Sequence, residues 1–98
     1  MKEIYQKRAD IDRLDVALVD LLVQRAVLSR QISVLKLRAG IPIADPRRER
    51  EVIRNATVTI TDPAYAPAIE AIYRAILVES RGMQEREQAD VLATRVLR

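Results

Sequence analysis

Between Ile4 and Leu35 apolar residues recur at Ile11, Leu14, Leu18, Leu21, Leu28 and Ile32, in steps of three, four and seven. That spacing is one stripe of an α-helix. It predicts a first helix from about residue 3 to about residue 38, with Gly40 as its C-terminal cap and Pro42 preventing continuation. At 1.5 Å per residue such a rod is roughly 50 Å long. A compact globule of 98 residues does not hold it, so the helix is expected to extend past its own subunit and pack against a second copy.

The rest of the chain reads as two further helices. Asp45 is a good N-cap and Pro46 a good first helical residue, so a short second helix should start there, turn Val52, Ile53 and Ala56 inward, and fade by Thr57. The stretch TVTITDP, residues 57–63, is β-prone, but a lone strand has nothing to pair with, so it is expected to be a connection. Thr61 or Asp62 with Pro63 restarts the chain as a long third helix, whose buried face is Ile69, Ile72, Tyr73, Ile76 and Leu77. That helix should reach the high eighties, with the tail to Arg98 helical or frayed. No repeat, low-complexity run or boundary interrupts the pattern, so residues 1–98 are expected to form a single all-α domain.

Composition agrees and narrows the chemistry. The apolar 49% is aliphatic, with three Tyr, no Phe and no Trp, and only two Gly accompany 32% charged residues; such a mixture favours helix over sheet. Without Cys or His the chain lacks thiolate nucleophiles, the usual general base and the commonest metal ligands, so neither a metal nor another cofactor is expected. Arg, Lys, carboxylates, hydroxyls and amides remain. The net charge of +3 and pI of about 9.7 suit an anionic ligand, whether nucleic acid, membrane surface or small acid. The N-terminus has no apolar run after its lysine and no stretch is apolar enough to span a bilayer, which makes a cytoplasmic protein the expectation.

Several polar residues stand where apolar ones belong. Arg25 interrupts the stripe of the first helix, and Lys36, eleven residues on, returns to within about 20° of the same direction. The two lie roughly 16 Å apart along the axis, which long side chains can narrow to the size of a small dianion. Arg25 alone could snorkel to solvent or pair with a carboxylate; two cations facing a core call for something negative between them. Glu49 shares the face of Val52 and Ile53, although Asp45, Arg48 and Glu49 also fit a solvated helix start with a pair such as Arg47–Glu51. Ser80 and Gln84 fall where the apolar face of the third helix should continue, or are ordinary polar ends of it. Arg8 is phased about 100° from Arg25 and roughly 26 Å away on the same rod, so it cannot share a small ligand with Arg25 of its own chain, but could serve a site in a partner.

The order Arg8, Arg25, Lys36, then PIADPRRE from Pro42 to Glu49, then SRGMQ from Ser80 to Gln84 resembles the all-helical (AroQ-class) chorismate mutases. The likeness covers about Lys2 to about Gln88, through R-x16-R-x10-K, P-[VI]-x-D-x-x-R-E and S-x-x-x-Q. It implies an intertwined homodimer of three-helix chains with two equivalent sites, each receiving an Arg from the other subunit. By position Arg8 is the residue that crosses, and Arg25 with the partner's Arg8 would bind the carboxylates of a small dicarboxylate substrate. Lys36 and Gln84 would hydrogen-bond its ether oxygen, Glu49 would take the ring hydroxyl, and Asp45, Arg48 and Ser80 would complete the pocket. The implied reaction is the pericyclic shift of chorismate to prephenate, which needs no proton transfer and no covalent intermediate, and so suits a chain without His or Cys.

Arg81 and Gly82 sit inside the third motif and bear on the fine substrate choice more than on the fold, Gly weakening a helix by about 1 kcal/mol relative to Ala and Arg81 adding a cation near the pocket wall. Two relatives on the same scaffold, an isochorismate pyruvate lyase and mutases of 4-amino-4-deoxychorismate, are the nearest alternatives; the complete D-x-x-R-E element looks more like a mutase than the lyase. From another class, a small basic helical module binding nucleic acid or a partner helix would explain the pI. It would not explain cations inside an apolar seam, since phosphate-binding residues belong on an exposed face.

Overall fold

The computed structural model describes residues 1–96 and consists of α1 (Lys2–Ala39), α2 (Pro46–Val58), a single 3-10 turn (Pro63–Tyr65) and α3 (Ala66–Val96). No strand occurs among the described residues. Gly40 ends α1 with φ 68° and ψ 27°, a left-handed conformation that side chains resist. The Ile41 amide reaches back to the Lys36 carbonyl at 2.9 Å and the Gly40 amide to that of Leu37 at 3.3 Å, satisfying carbonyls that a helix end would otherwise leave orphaned.

Asp45 caps α2 as its sequence position suggests, accepting the Arg48 backbone N–H at 3.1 Å, with Pro46 as first helical residue. The helix runs one residue past Thr57, whose hydroxyl donates to the Ile53 carbonyl at 3.1 Å. The remainder of the β-prone stretch is the expected connection. Of the two candidate caps before α3 it is Asp62 that acts, accepting the Ala64 N–H at 2.9 Å ahead of the 3-10 turn. α3 passes through Gly82 unbroken and continues beyond the high eighties to Val96, so this part of the tail is helical; Leu97 and Arg98 lie outside the described residues.

α1 and α3 run parallel. Arg25 meets Ser80, Ser29 meets Gln84, and Gln88 meets Ser33, a constant offset stepping four residues at a time along both helices. α2 folds back against α3 and makes no packing contact with α1, leaving a cleft between α1 and α2 that α3 floors.

The core differs from the expected one. Among the described residues Leu77 is the buried hydrophobic one, and the others buried are Ser29, Ser33, Ser80 and Gln84. The expected α1 stripe faces away from α3: Leu14 is 69%, Leu21 60% and Leu35 59% exposed. On α3, Ile69, Tyr73 and Ile76 are half-buried as expected, whereas Ile72 is exposed. The reason is geometric. Ser29 and Ser33 sit about 100° round the helix from Leu28 and Ile32, and small side chains let two helix backbones approach more closely than leucines do. Everything from Met1 to Gln24 is exposed, and the radius of gyration of 17.6 Å exceeds the roughly 13 Å of a compact chain this long. No described helix is long and apolar enough to cross a membrane.

Candidate active site

The cleft between α1 and α2 has a volume of about 390 Å³, in the range of small-ligand pockets. Helical spacing builds it. α1 directs Arg25, Ser29, Ile32 and Lys36 into it, the α1–α2 loop and α2 add Ile43, Asp45, Arg48, Glu49 and Val52, and α3 supplies Leu77, Ser80, Arg81 and Gln84. The α1 set steps by three or four residues, and α2 and α3 add to that spacing one adjacent pair each, Arg48 with Glu49 and Ser80 with Arg81, so each helix presents one continuous face. Leu28 also lines the cleft, which gives two residues of the α1 stripe, Leu28 and Ile32, a role as pocket wall rather than core.

Arg25 Nη1 donates to Ser80 Oγ at 2.8 Å, and Lys36 Nζ donates to the Ile43 carbonyl at 3.0 Å. Both acceptors are neutral, and neither cation pairs with a carboxylate among the described residues. Asp45 and Glu49 line the same cleft, but neither forms an ion pair with Arg25 or Lys36. An ammonium has three donors, so two of Lys36 remain for a ligand. Counting the lining side chains, Arg25, Lys36, Arg48 and Arg81 against Asp45 and Glu49 gives +4 − 2 = +2, the complement of a dianion.

Gln84 is buried and its Nε2 donates to Ser29 Oγ at 2.9 Å and to the Ser29 carbonyl at 3.2 Å. Both contacts are to α1, so the amide is oriented by the α1–α3 seam while its side chain lines the cleft. Ser33 Oγ donates to the Gln84 carbonyl at 2.9 Å, fixing the backbone beneath it. Glu49, half-buried, is ion-paired with Arg81 across the cleft from α2 to α3. Arg48 turns to Glu51; the Arg47–Glu51 pair suggested by the i, i+4 rule is replaced by this i, i+3 one, because Arg48 and Glu51 face each other at the rim.

Seven residues singled out in the sequence thus meet in one place: Arg25, Lys36, Asp45, Arg48, Glu49, Ser80 and Gln84. Arg8 does not join them. It lies among Glu3, Ile4, Lys7 and Ile11 on the exposed half of α1, roughly 26 Å along the rod from Arg25. Three features escaped the sequence reading: Ser29, Ser33 and the pairing of Arg81 with Glu49. Ser29 and Ser33, four apart on a helix, carry the small-residue spacing of a close helix contact and could have been found; the Arg81–Glu49 pair joins residues 32 apart, and no local pattern encodes it. Among the described residues no three carboxylates gather to hold a metal ion.

Residues 7–85 match the family described as chorismate mutase type II. A 52-residue stretch, 53% of the chain, is 42% identical to the bifunctional chorismate mutase/prephenate dehydratase of Aquifex aeolicus (strain VF5). The matched stretch is 14% of that protein's length.

Proposed function

The chain belongs to the chorismate mutase type II family, and on that premise we propose that its cleft converts chorismate to prephenate. The observation that carries this reading is the meeting of Arg25, Lys36, Glu49 and Gln84 around one small-ligand cleft whose lining is positive by two charges. The reaction breaks a C–O bond as a C–C bond forms, and all its atoms stay in one molecule. A catalyst has two tasks: holding the flexible enolpyruvyl arm over the ring, and stabilising negative charge as it grows on the ether oxygen.

Arg25, steadied by Ser80, clamps one carboxylate; a guanidinium suits this because its paired N–H groups match the two oxygens. The second carboxylate takes Arg8 of the partner subunit. Lys36 gives an unused N–H to the ether oxygen, and Gln84 adds a second by turning one hydrogen from its longer contact, the Ser29 carbonyl, towards the ligand. These donors accelerate the reaction to the extent that they bind the transition state better than the substrate. Glu49 accepts the ring hydroxyl, Asp45 holds the start of α2 in place, and Arg48 adds positive charge at the rim.

The shared site requires a second copy, and the surface supports one. Leucines and isoleucines along α1 are exposed while two serines are buried on it, and exposed apolar surface of that extent marks an interface. We place that interface along α1, in an intertwined homodimer. A membrane or nucleic-acid partner fits less well, since Arg25 and Lys36 are half-buried in a cleft where a phosphate backbone does not reach, and a cytoplasmic setting accords with a small-metabolite substrate.

Loss of chorismate absorbance tests the reading. Wild-type protein is expected to deplete chorismate with saturation kinetics and accumulate prephenate, and Lys36→Ala to lower kcat/KM by about 10²–10³ with unchanged helical circular dichroism. A wild type that binds DNA in a salt-dependent manner and leaves chorismate intact would replace this reading by the nucleic-acid one.

A further inference from the structure

Arg81 stands at a free position of S-x-x-x-Q, and in the fold it meets Glu49, the residue proposed above to take the ring hydroxyl. It follows Ser80 on α3, lines the cleft, and donates through Nη1 to Glu49 Oε1. Neither partner is fully exposed, with 36% of the Arg81 side chain and 27% of that of Glu49 open to solvent. We propose that Arg81 determines which ring substituent the site accepts, favouring a neutral hydrogen-bond donor over an ammonium. This rests on the mutase reading above and narrows its substrate class.

A carboxylate offers about four acceptor positions on two oxygens. Arg81 occupies Oε1 and leaves Oε2 for the ligand. A ring hydroxyl donates to Oε2 and brings no charge with it. An ammonium at the same place also finds an acceptor, but it sits one carboxylate's width from a guanidinium, in a lining that already carries +2 before any partner residue is added. Glu49 without Arg81 would be an unpaired anion and a good ammonium site; with Arg81 its charge is spent. Arg81 thus acts through Glu49, as a positioning residue that repels the wrong substrate, and repulsion discriminates where attraction alone does not.

The plain alternative is that the pair only ties α2 to α3. The two roles separate in the ratio of kcat/KM for chorismate to that for 4-amino-4-deoxychorismate, which a tie between helices does not move. Wild type should favour chorismate. In Arg81→Gln, which keeps a donor and drops the charge, the ratio should fall about tenfold, equivalent to about 1.4 kcal/mol, a modest figure because the pair is partly open to water. Arg81→Lys keeps the charge and should stay within about threefold of wild type, since charge at this position carries the effect. If Arg81→Gln fails to fold, Arg81→Met, which retains the aliphatic stem, makes the same measurement. An equal fall for both substrates, or a wild type that favours the amino compound, overturns the proposal and leaves the mutase assignment standing. A wild type that converts neither compound overturns both.

Discussion

Gln84 shows how one side chain serves two masters at the residue scale. Its amide nitrogen is held by Ser29 on the neighbouring helix while the residue lines the cleft beside Arg81 and Ser80, so Ser29 fixes its position and one hydrogen has only to turn from the Ser29 carbonyl to reach a ligand. An amide donates at every pH. Gln84→Glu can donate to an ether oxygen only in its protonated form, and once ionised it sets a negative charge against the one that develops there. The active form is then populated at low pH and lost as pH rises. The pH profile of kcat/KM should accordingly move towards acid relative to wild type, with activity near neutrality reduced by about 10²-fold or more. An active variant with an unchanged profile would place Gln84 away from the reacting oxygen.

At the scale of elements, the parallel seam between α1 and α3 is what aligns the site. Arg25–Ser80, Ser29–Gln84 and Gln88–Ser33 recur at one offset, so a shift of either helix along the other would misalign every donor in the cleft together. Ser33 is the pivot: it is fully buried, it donates to the Gln84 carbonyl, and its small size sets how closely the helices approach. Ser33→Leu adds volume where none is free and removes that hydrogen bond, which should cost about 1–3 kcal/mol. Thermal unfolding followed by circular dichroism should show a midpoint lower by about 4 °C or more. A variant melting with the wild type would mean that the helices do not meet at this position.

For the whole molecule the decisive quantity is how little a single chain buries. Its extents are 60 × 28 × 14 Å, its long axis is α1 itself, and its apolar stripe looks outward. A second copy crossing at α1 would cover that stripe and bring Arg8 of one subunit to Arg25 of the other. Mixing tests this directly. Arg8→Ala and Arg25→Ala should each be nearly inactive alone, because each spoils both sites of its own homodimer. After joint unfolding and refolding, random pairing makes about half of the dimers mixed; one site of each carries both lesions and the other none, so about a quarter of wild-type activity should return. If both arginines served one chain's site the mixture would stay as inactive as its parts.

What the sequence determined by itself was local or periodic: three helices, the caps at Gly40 and Asp45, and the residue types of the cleft, whose spacing along each helix places them on one face without knowledge of the neighbour. Tertiary structure alone decided which face of α1 meets α3. Hydrophobic periodicity marks the side of a helix that must leave water, but not whether its own chain or another molecule covers it, and here the chain uses the serine face and leaves the leucines outside. It also decided the partners of individual polar groups, Glu49 with Arg81 and Gln84 with Ser29. Such pairs depend on the register between helices more than thirty residues apart in the chain, and that register is set by packing, which no single helix's pattern contains.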